Sequence, residues 1–141
     1  MCRILSIYYK DREGKSNYPS KVEVIKDIGI KGDIKSAKKG RNIAFIFSED
    51  LGRLDLIDGL CTKRFKANLT IEGRININIG DILLINGVSI IVTEIGKRCF
   101  DGCNIEATNR CKCPLKNIFY GDVLENGEIL IDSIVKPIST D

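Results

Sequence analysis

The chain has 141 residues, 43% of them apolar and 29% charged, with a formal net charge of +3. That is enough chain for one globular domain with a real core and no need of a metal or disulfide staple. The charge is too small to imply a polyanion partner, no apolar run approaches the ~18 residues of a membrane span, and with no histidine present Ser-His and Cys-His catalysis are excluded.

In chain order, Arg3 to Tyr9 alternates well enough for a first strand, and Asp11 to Ser20, with Gly14 and Pro19, reads as a loop. Val22 to Ile25 is a short strand. Ile28 to Asp33 is rich in turn residues and leads into a basic loop, Lys35-Ser36-Ala37-Lys38-Lys39-Gly40-Arg41. Asn42 to Phe47 is a compact apolar strand. Ser48 then suits a helix cap, with Glu49 and Asp50 in the first turn, Leu51 and Leu54 at helical spacing and Gly59 as a stop. Phe65 to Ile71 is the next strand. Ile75, Ile77 and Ile79 alternate with Asn76 and Asn78 as in a half-buried strand.

Ile82 to Ile95 is the clearest hairpin, because Asn86-Gly87 suits the type I′ turn that matches strand twist. Ile118 to Leu124 and Ile129 to Ile134 suggest a second hairpin around Asn126-Gly127. About eight strands against one or two short helices predict a mainly β fold, a barrel or sandwich. No repeat, low-complexity tract or linker divides it, so 1–141 is expected to be a single domain. The N-terminus lacks both the apolar core and the cleavage site of a secretory signal. The expected location is therefore the cytoplasm, where thiols stay reduced and six cysteines read as reactive, metal-binding or buried more than as disulfides.

Four of those cysteines, Cys99, Cys103, Cys111 and Cys113, lie between Gly96 and Pro114, directly after the most strand-like segment. Lys97 and Arg98 precede Cys99, and nearby cations lower a thiol's pKa and favour the reactive thiolate. The opposing reading of Cys99 is a small buried hydrophobe. The spacing C-x3-C-x7-C-x-C supplies enough thiolates for zinc or an iron–sulfur cluster but lacks the paired C-x-x-C knuckles of zinc ribbons. A disulfide among Cys103, Cys111 and Cys113 that guards Cys99, or simple packing, fits the same residues. The second constellation is basic: Lys31, Lys35, Lys38, Lys39 and Arg41 among Gly29, Gly32 and Gly40. Such loops suit phosphate or another oxyanion, or are merely solvated. Nucleic acid fits less well, since aromatics for stacking are few and no nucleic-acid motif is visible.

With these residues laid out, the sequence resembles the MOSC family, named for the C-terminal domain of molybdenum cofactor sulfurase, most strongly over residues 22–134. Gly29-Ile30-Lys31-Gly32-Asp33 looks like the family's G-[IV]-x-G-D. Arg41-Asn42-Ile43-Ala44-Phe45 stands where an Arg-x-Val-x-Leu strand is usual, and Phe65 to Gly73 looks like [FR]-x-E-N-[LI]-T-x-x-G. Cys99 ends the hairpin at the position of the family's cysteine. Lys97 to Ile105, Cys111 to Pro114 and Ile118-Phe119 are similar to small stand-alone bacterial members.

The resemblance implies a barrel-like MOSC fold and binding of the molybdenum cofactor, or sulfur carriage for its maturation, through Cys99 as molybdenum ligand or persulfide carrier. Lys31, Asp33, Lys35, Lys39, Arg41, Asn68, Lys97 and Arg98 would then bind the cofactor, molybdopterin. Implied partners are cofactor-biosynthesis proteins or a sulfur donor. Two alternatives stand beside this. One is a zinc or iron–sulfur module on Cys103, Cys111 and Cys113. The other is a molybdenum-dependent reductase of N-hydroxylated compounds, so an enzyme, if it is one, would be a sulfur transferase or that reductase. Pyridoxal phosphate is associated with the family at domain level only, and no lysine here has a visible claim to it. Lys35, Ala67, Phe100 and Asn117 depart from the family's His, Glu, His and Gly, which disfavours acid–base chemistry at those places and leaves anion binding intact.

Overall fold

The computed structural model of the protein describes residues 2–34, 40–50, 67–96 and 118–138. Within them lie β1 (Cys2–Ile7), β2 (Tyr9–Lys10), β3 (Ser16–Asn17), β4 (Lys21–Ile25), β5 (Gly29–Ile30) and β6 (Ile43–Phe47). They are followed by β7 (Leu69–Glu72), β8 (Ile82–Ile85), β9 (Val88–Ile95), β10 (Phe119–Val123), β11 (Gly127–Leu130) and β12 (Ile134–Ile138). Seven of these close a barrel in the order β1-β12-β8-β9-β10-β6-β7. Closure removes the unpaired edges that an open sheet would expose. The remaining strands form two small sheets of their own, β11-β4-β5 and β2-β3. The fold is mainly β, as expected, with more strands than the expected eight because these two- to five-residue pieces pair on their own.

Side-chain alternation places the core. On β9, Val88, Ile90 and Val92 are buried while Ser89, Ile91 and Thr93 are only partly covered. All five residues of β6 are buried, as its unbroken apolar run implies. Phe45 of β6 and Phe119 of β10, direct partners across the ladder, stack with ring centroids 4.6 Å apart at an interplanar angle of 5°. Ile4, Leu69, Ile71 and Leu83 fill the space around them.

The β8–β9 hairpin forms as its turn dictates. Asn86 and Gly87 have φ of 48° and 81°, the left-handed pair of a type I′ turn, and Ile85 faces Val88. The second expected hairpin does not form. Instead β11 pairs with β4, Gly127 opposite Val24 and Leu130 opposite Lys21, and the chain from Ile134 joins the barrel as β12. Asn126 is used differently from Asn86: its side-chain oxygen accepts the Lys26 amide at 2.7 Å. Gly127 is needed for closeness, since a Cβ there would lie 2.4 Å from Val88 Cγ2. The 75–79 segment is another correction. It alternates, with Ile75 and Ile77 packed against the core, but it enters none of the described sheets.

Ser48, Glu49 and Asp50 are helical, in line with the expected helix start; its continuation to Gly59, and the strand start at Phe65, lie outside the described residues. Arg74 ties this start to the end of β7. Its guanidinium lies over the Phe47 ring at 4.9 Å, donates to Glu49, and pairs with the buried Asp50 at 2.9 Å. Among the described residues no helix is long and apolar enough to cross a membrane.

Candidate functional site

β9 and β10 are the roots of the cysteine-bearing segment. Their ladder runs from Val123 opposite Ile90 to Phe119 opposite Ile95, and the Gly96 amide then donates to the Ile118 carbonyl at 2.6 Å. Gly96 and Ile118, the described residues on either side of the cysteine-bearing stretch 97–117, therefore lie side by side. Lys97, Arg98, Cys99, Cys103, Cys111 and Cys113 all belong to that stretch and lie outside the described residues, as do Lys35 and Lys39. Cys2 is a buried free thiol whose sulfur packs where a Cβ on Gly73 would come within 3.0 Å.

The other expected site residues are visible. Lys31 is exposed and faces Glu23 at 3.4 Å. Asp33 and Asn68 meet across 35 residues of sequence. The Asn68 amide nitrogen donates to Asp33 Oδ2 at 3.0 Å and to the Tyr8 carbonyl at 3.1 Å. Its oxygen accepts the Ala44 amide at 2.9 Å. Both amide hydrogens are thus used inside the protein, so Asn68 joins the end of β1, the start of β6 and the turn after β5. The Gly29-Ile30-Lys31-Gly32-Asp33 turn is shaped by Gly29, with φ of 111°, pressed against the Asn42 carbonyl.

Arg41 carries a close ionic contact. Its Nε and Nη2 donate to the two Glu94 oxygens at 2.8 and 2.7 Å, and its guanidinium carbon sits 4.7 Å from the Tyr120 ring centroid. Its hydrogen bonds to Glu94 hold the arginine's pKa above its ordinary value, against partial desolvation. Tyr120 and Glu94 are cross-strand partners, and Tyr120 is also opposite Ala44.

Burial pushes the Tyr120 phenol above the usual tyrosine range, with Arg41 pulling it back and Glu94 pushing it further. Folding thus favours neutral Tyr120. That stability is fully present below about pH 10, the ordinary tyrosine value, and is lost as pH rises through the higher folded value. With four tyrosines and no tryptophan, the tyrosinate ultraviolet band is easily read. Its titration should show a final phase above pH 10 that Tyr120→Phe removes; a profile unchanged by the substitution would refute the assignment.

No family model and no curated protein sequence matches the chain. Solved structures do. The YuaD protein from Bacillus subtilis is similar with a TM-score of 0.70 at 12% identity, over 100% of this chain and 98% of that one. YiiM from Escherichia coli gives 0.64 at 17%, over 99% and 71%. YiiM from Geobacillus stearothermophilus gives 0.61 at 18%, over 99% and 76%. These neighbours are MOSC-domain proteins. The fold is MOSC-like.

Within this MOSC-like barrel, the structure brings Asp33 to Asn68 and sets Arg41 on the β9–β10 wall that carries the cysteine segment; Lys31 stands apart on the β4–β5 side. Thr93, Glu94, Tyr120 and Asp122 belong to no motif in the sequence. One signal was available: Asp122 and Glu94 are charges inside largely apolar strands, and a charge there needs a partner.

Proposed function

We propose that the protein binds the molybdenum cofactor, or carries sulfur for its maturation, through Cys99. The observation that carries this reading is the placement of Gly96 and Ile118, the described residues on either side of the cysteine segment. They close the end of the β9–β10 ladder in a MOSC-like barrel, on the wall where Arg41, the end of the lysine loop, is fastened.

The chemistry of the chain's own donors fits such a group. Molybdenum prefers soft sulfur ligands, and the chain offers six thiols and no imidazole. A pterin phosphate needs cationic donors, and Lys39 and Arg41 flank Gly40 while Lys97 and Arg98 precede Cys99 in sequence. Cys99 would supply the thiolate ligand or hold a terminal sulfur, and Lys35, Lys39, Lys97 and Arg98 would hold the phosphate. When bound, the cofactor supplies the redox-active metal. In the carrier form, the cargo is sulfur, received from a donor protein and passed to a cofactor-biosynthesis partner.

The test is anaerobic titration of the full chain with isolated molybdenum cofactor, wild type against Cys99→Ala, with intact-mass measurement for a persulfide. Affinity should fall by at least about tenfold in the variant, the loss of roughly 1.4 kcal/mol expected for one metal–thiolate contact or more. Alternatively, a persulfide present on the wild type should vanish. Binding and mass unchanged by the substitution would overturn the reading. Stoichiometric zinc or iron lost on replacing Cys103 and Cys111 would replace it by a metal module.

A further inference from the structure

The stretch from Gly40 to Asn42 is strapped to the β9–β10 pair by an unusual density of bonds. The Gly40 amide donates to Asp122 Oδ2 at 3.0 Å and the Asn42 amide to Asp122 Oδ1 at 3.3 Å, so one carboxylate holds both ends of the turn. The Asn42 side-chain oxygen accepts the Val123 amide at 3.1 Å. The Thr93 hydroxyl donates to the Gly40 carbonyl and lies 3.2 Å from the Tyr120 carbonyl. Between these, Arg41 grips Glu94 through two parallel bonds and covers Tyr120.

The strand pair is built for this. Tyr120 faces Glu94 but Gly121 faces Val92, so Thr93 is an extra residue, a bulge. Bulges re-aim a side chain, and this one turns Thr93 toward Gly40. Gly121 makes room for it: a Cβ there would lie 2.6 Å from Ile90 Cγ2 and 2.9 Å from the Ile91 carbonyl.

Chain connectivity gives the strap its meaning. Gly40 and Arg41 are the last two residues of the lysine loop. Glu94 lies two residues before Gly96, whose amide closes the root of the cysteine segment on Ile118. We infer that Arg41 and Glu94, with Tyr120 beneath them, are positioning residues that lock the end of the lysine loop to the root of the cysteine segment. Arg41 is then not itself the anion ligand. This rests on the proposed cofactor site for its functional part, while the lock itself is independent of that reading. The arginine is suited to the task and a lysine is not, since only the planar fork makes two parallel bonds to one carboxylate.

The experiment compares wild type, Arg41→Lys, Glu94→Gln and the double variant as full chains. Amide hydrogen exchange should speed by about tenfold at Gly40 and Gly96 in both single variants, with the double no faster than the faster single. The Ile4 amide, bonded to Ser133 elsewhere on the barrel, should keep its rate. Unchanged exchange at Gly40 and Gly96, or equal acceleration at Ile4, would overturn the lock. Isolated molybdenum cofactor is the second probe. A positioning role weakens its binding in both single variants. A direct anion contact by Arg41 would instead weaken it in Arg41→Lys and tighten it in Glu94→Gln, where the fork is released, and that result would overturn the assignment of Arg41. If wild type binds no cofactor, the proposed function fails, and the exchange rates alone still decide the lock.

Discussion

Gly29→Ala should destabilise the protein by about 3–5 kcal/mol, enough to lower its melting temperature by roughly 10–15 °C for a domain of this size. Two effects add. The φ of 111° at Gly29 lies where residues with a Cβ are strained. More severely, an alanine Cβ would stand 2.4 Å from the Asn42 carbonyl oxygen and 3.1 Å from its carbon, so backbone itself would have to move. Asn42 cannot move freely, because its amide and side chain are bonded to Asp122 and Val123. Gly80→Ala is the control. Gly80 has a similar φ of 97°, but a Cβ there meets nothing within 4 Å, so only backbone strain of about 1 kcal/mol is expected. Urea unfolding of both variants separates the terms. Equal losses would show that the contact with Asn42 is not what requires glycine at position 29.

Asn68→Ala should cost about 2–4 kcal/mol, because three hydrogen bonds go and their partners stay. Asp33 is 5% exposed and Ala44 9%, so neither group is readily rescued by water. Asn68→Asp is the more telling change. Its carboxylate can still accept the Ala44 amide, but the nitrogen that donates to Asp33 Oδ2 at 3.0 Å and to the Tyr8 carbonyl becomes an acceptor. Two carboxylates then face each other, and the repulsion raises the pKa of the new group. Its folded value lies above its unfolded value, so its protonated form is the one folding favours. The variant should therefore gain stability relative to wild type as pH falls through that raised value toward the ordinary carboxylate range. Unfolding curves across mildly acidic to neutral pH check this. If Asn68→Ala unfolds at the wild-type urea concentration, the amide is not a structural clip, and its expected role in orienting a ligand regains its footing.

Much of the fold was legible in the sequence. The strands at Val22, Asn42 and Val88, and the Asn86-Gly87 turn, carried local signals of period and turn chemistry. The second Asn-Gly pair carried the same local signal and made a different structure. Asn126 found the Lys26 amide a hundred residues away, and Gly127 was needed beside Val88. Ile75 to Ile79 shows the same limit. Alternation reports which side faces the core, whereas a strand also needs a partner with free backbone groups.

The candidate site divides in the same way. The sequence alone determined the supply of chemistry: four clustered thiols, a lysine-rich glycine loop, no imidazole, and strands enough for a barrel. Those are properties of residue type and spacing, which are fixed before folding. Only the tertiary structure decided how Arg41 and Asn68 are used. Their partners, Glu94 and Asp33, lie 53 and 35 residues away in the chain, brought near by barrel closure and strand register. A guanidinium or an amide is equally able to bind a ligand or to fasten two strands. Which it does depends on what the fold places within hydrogen-bond distance, and that is a non-local outcome of packing.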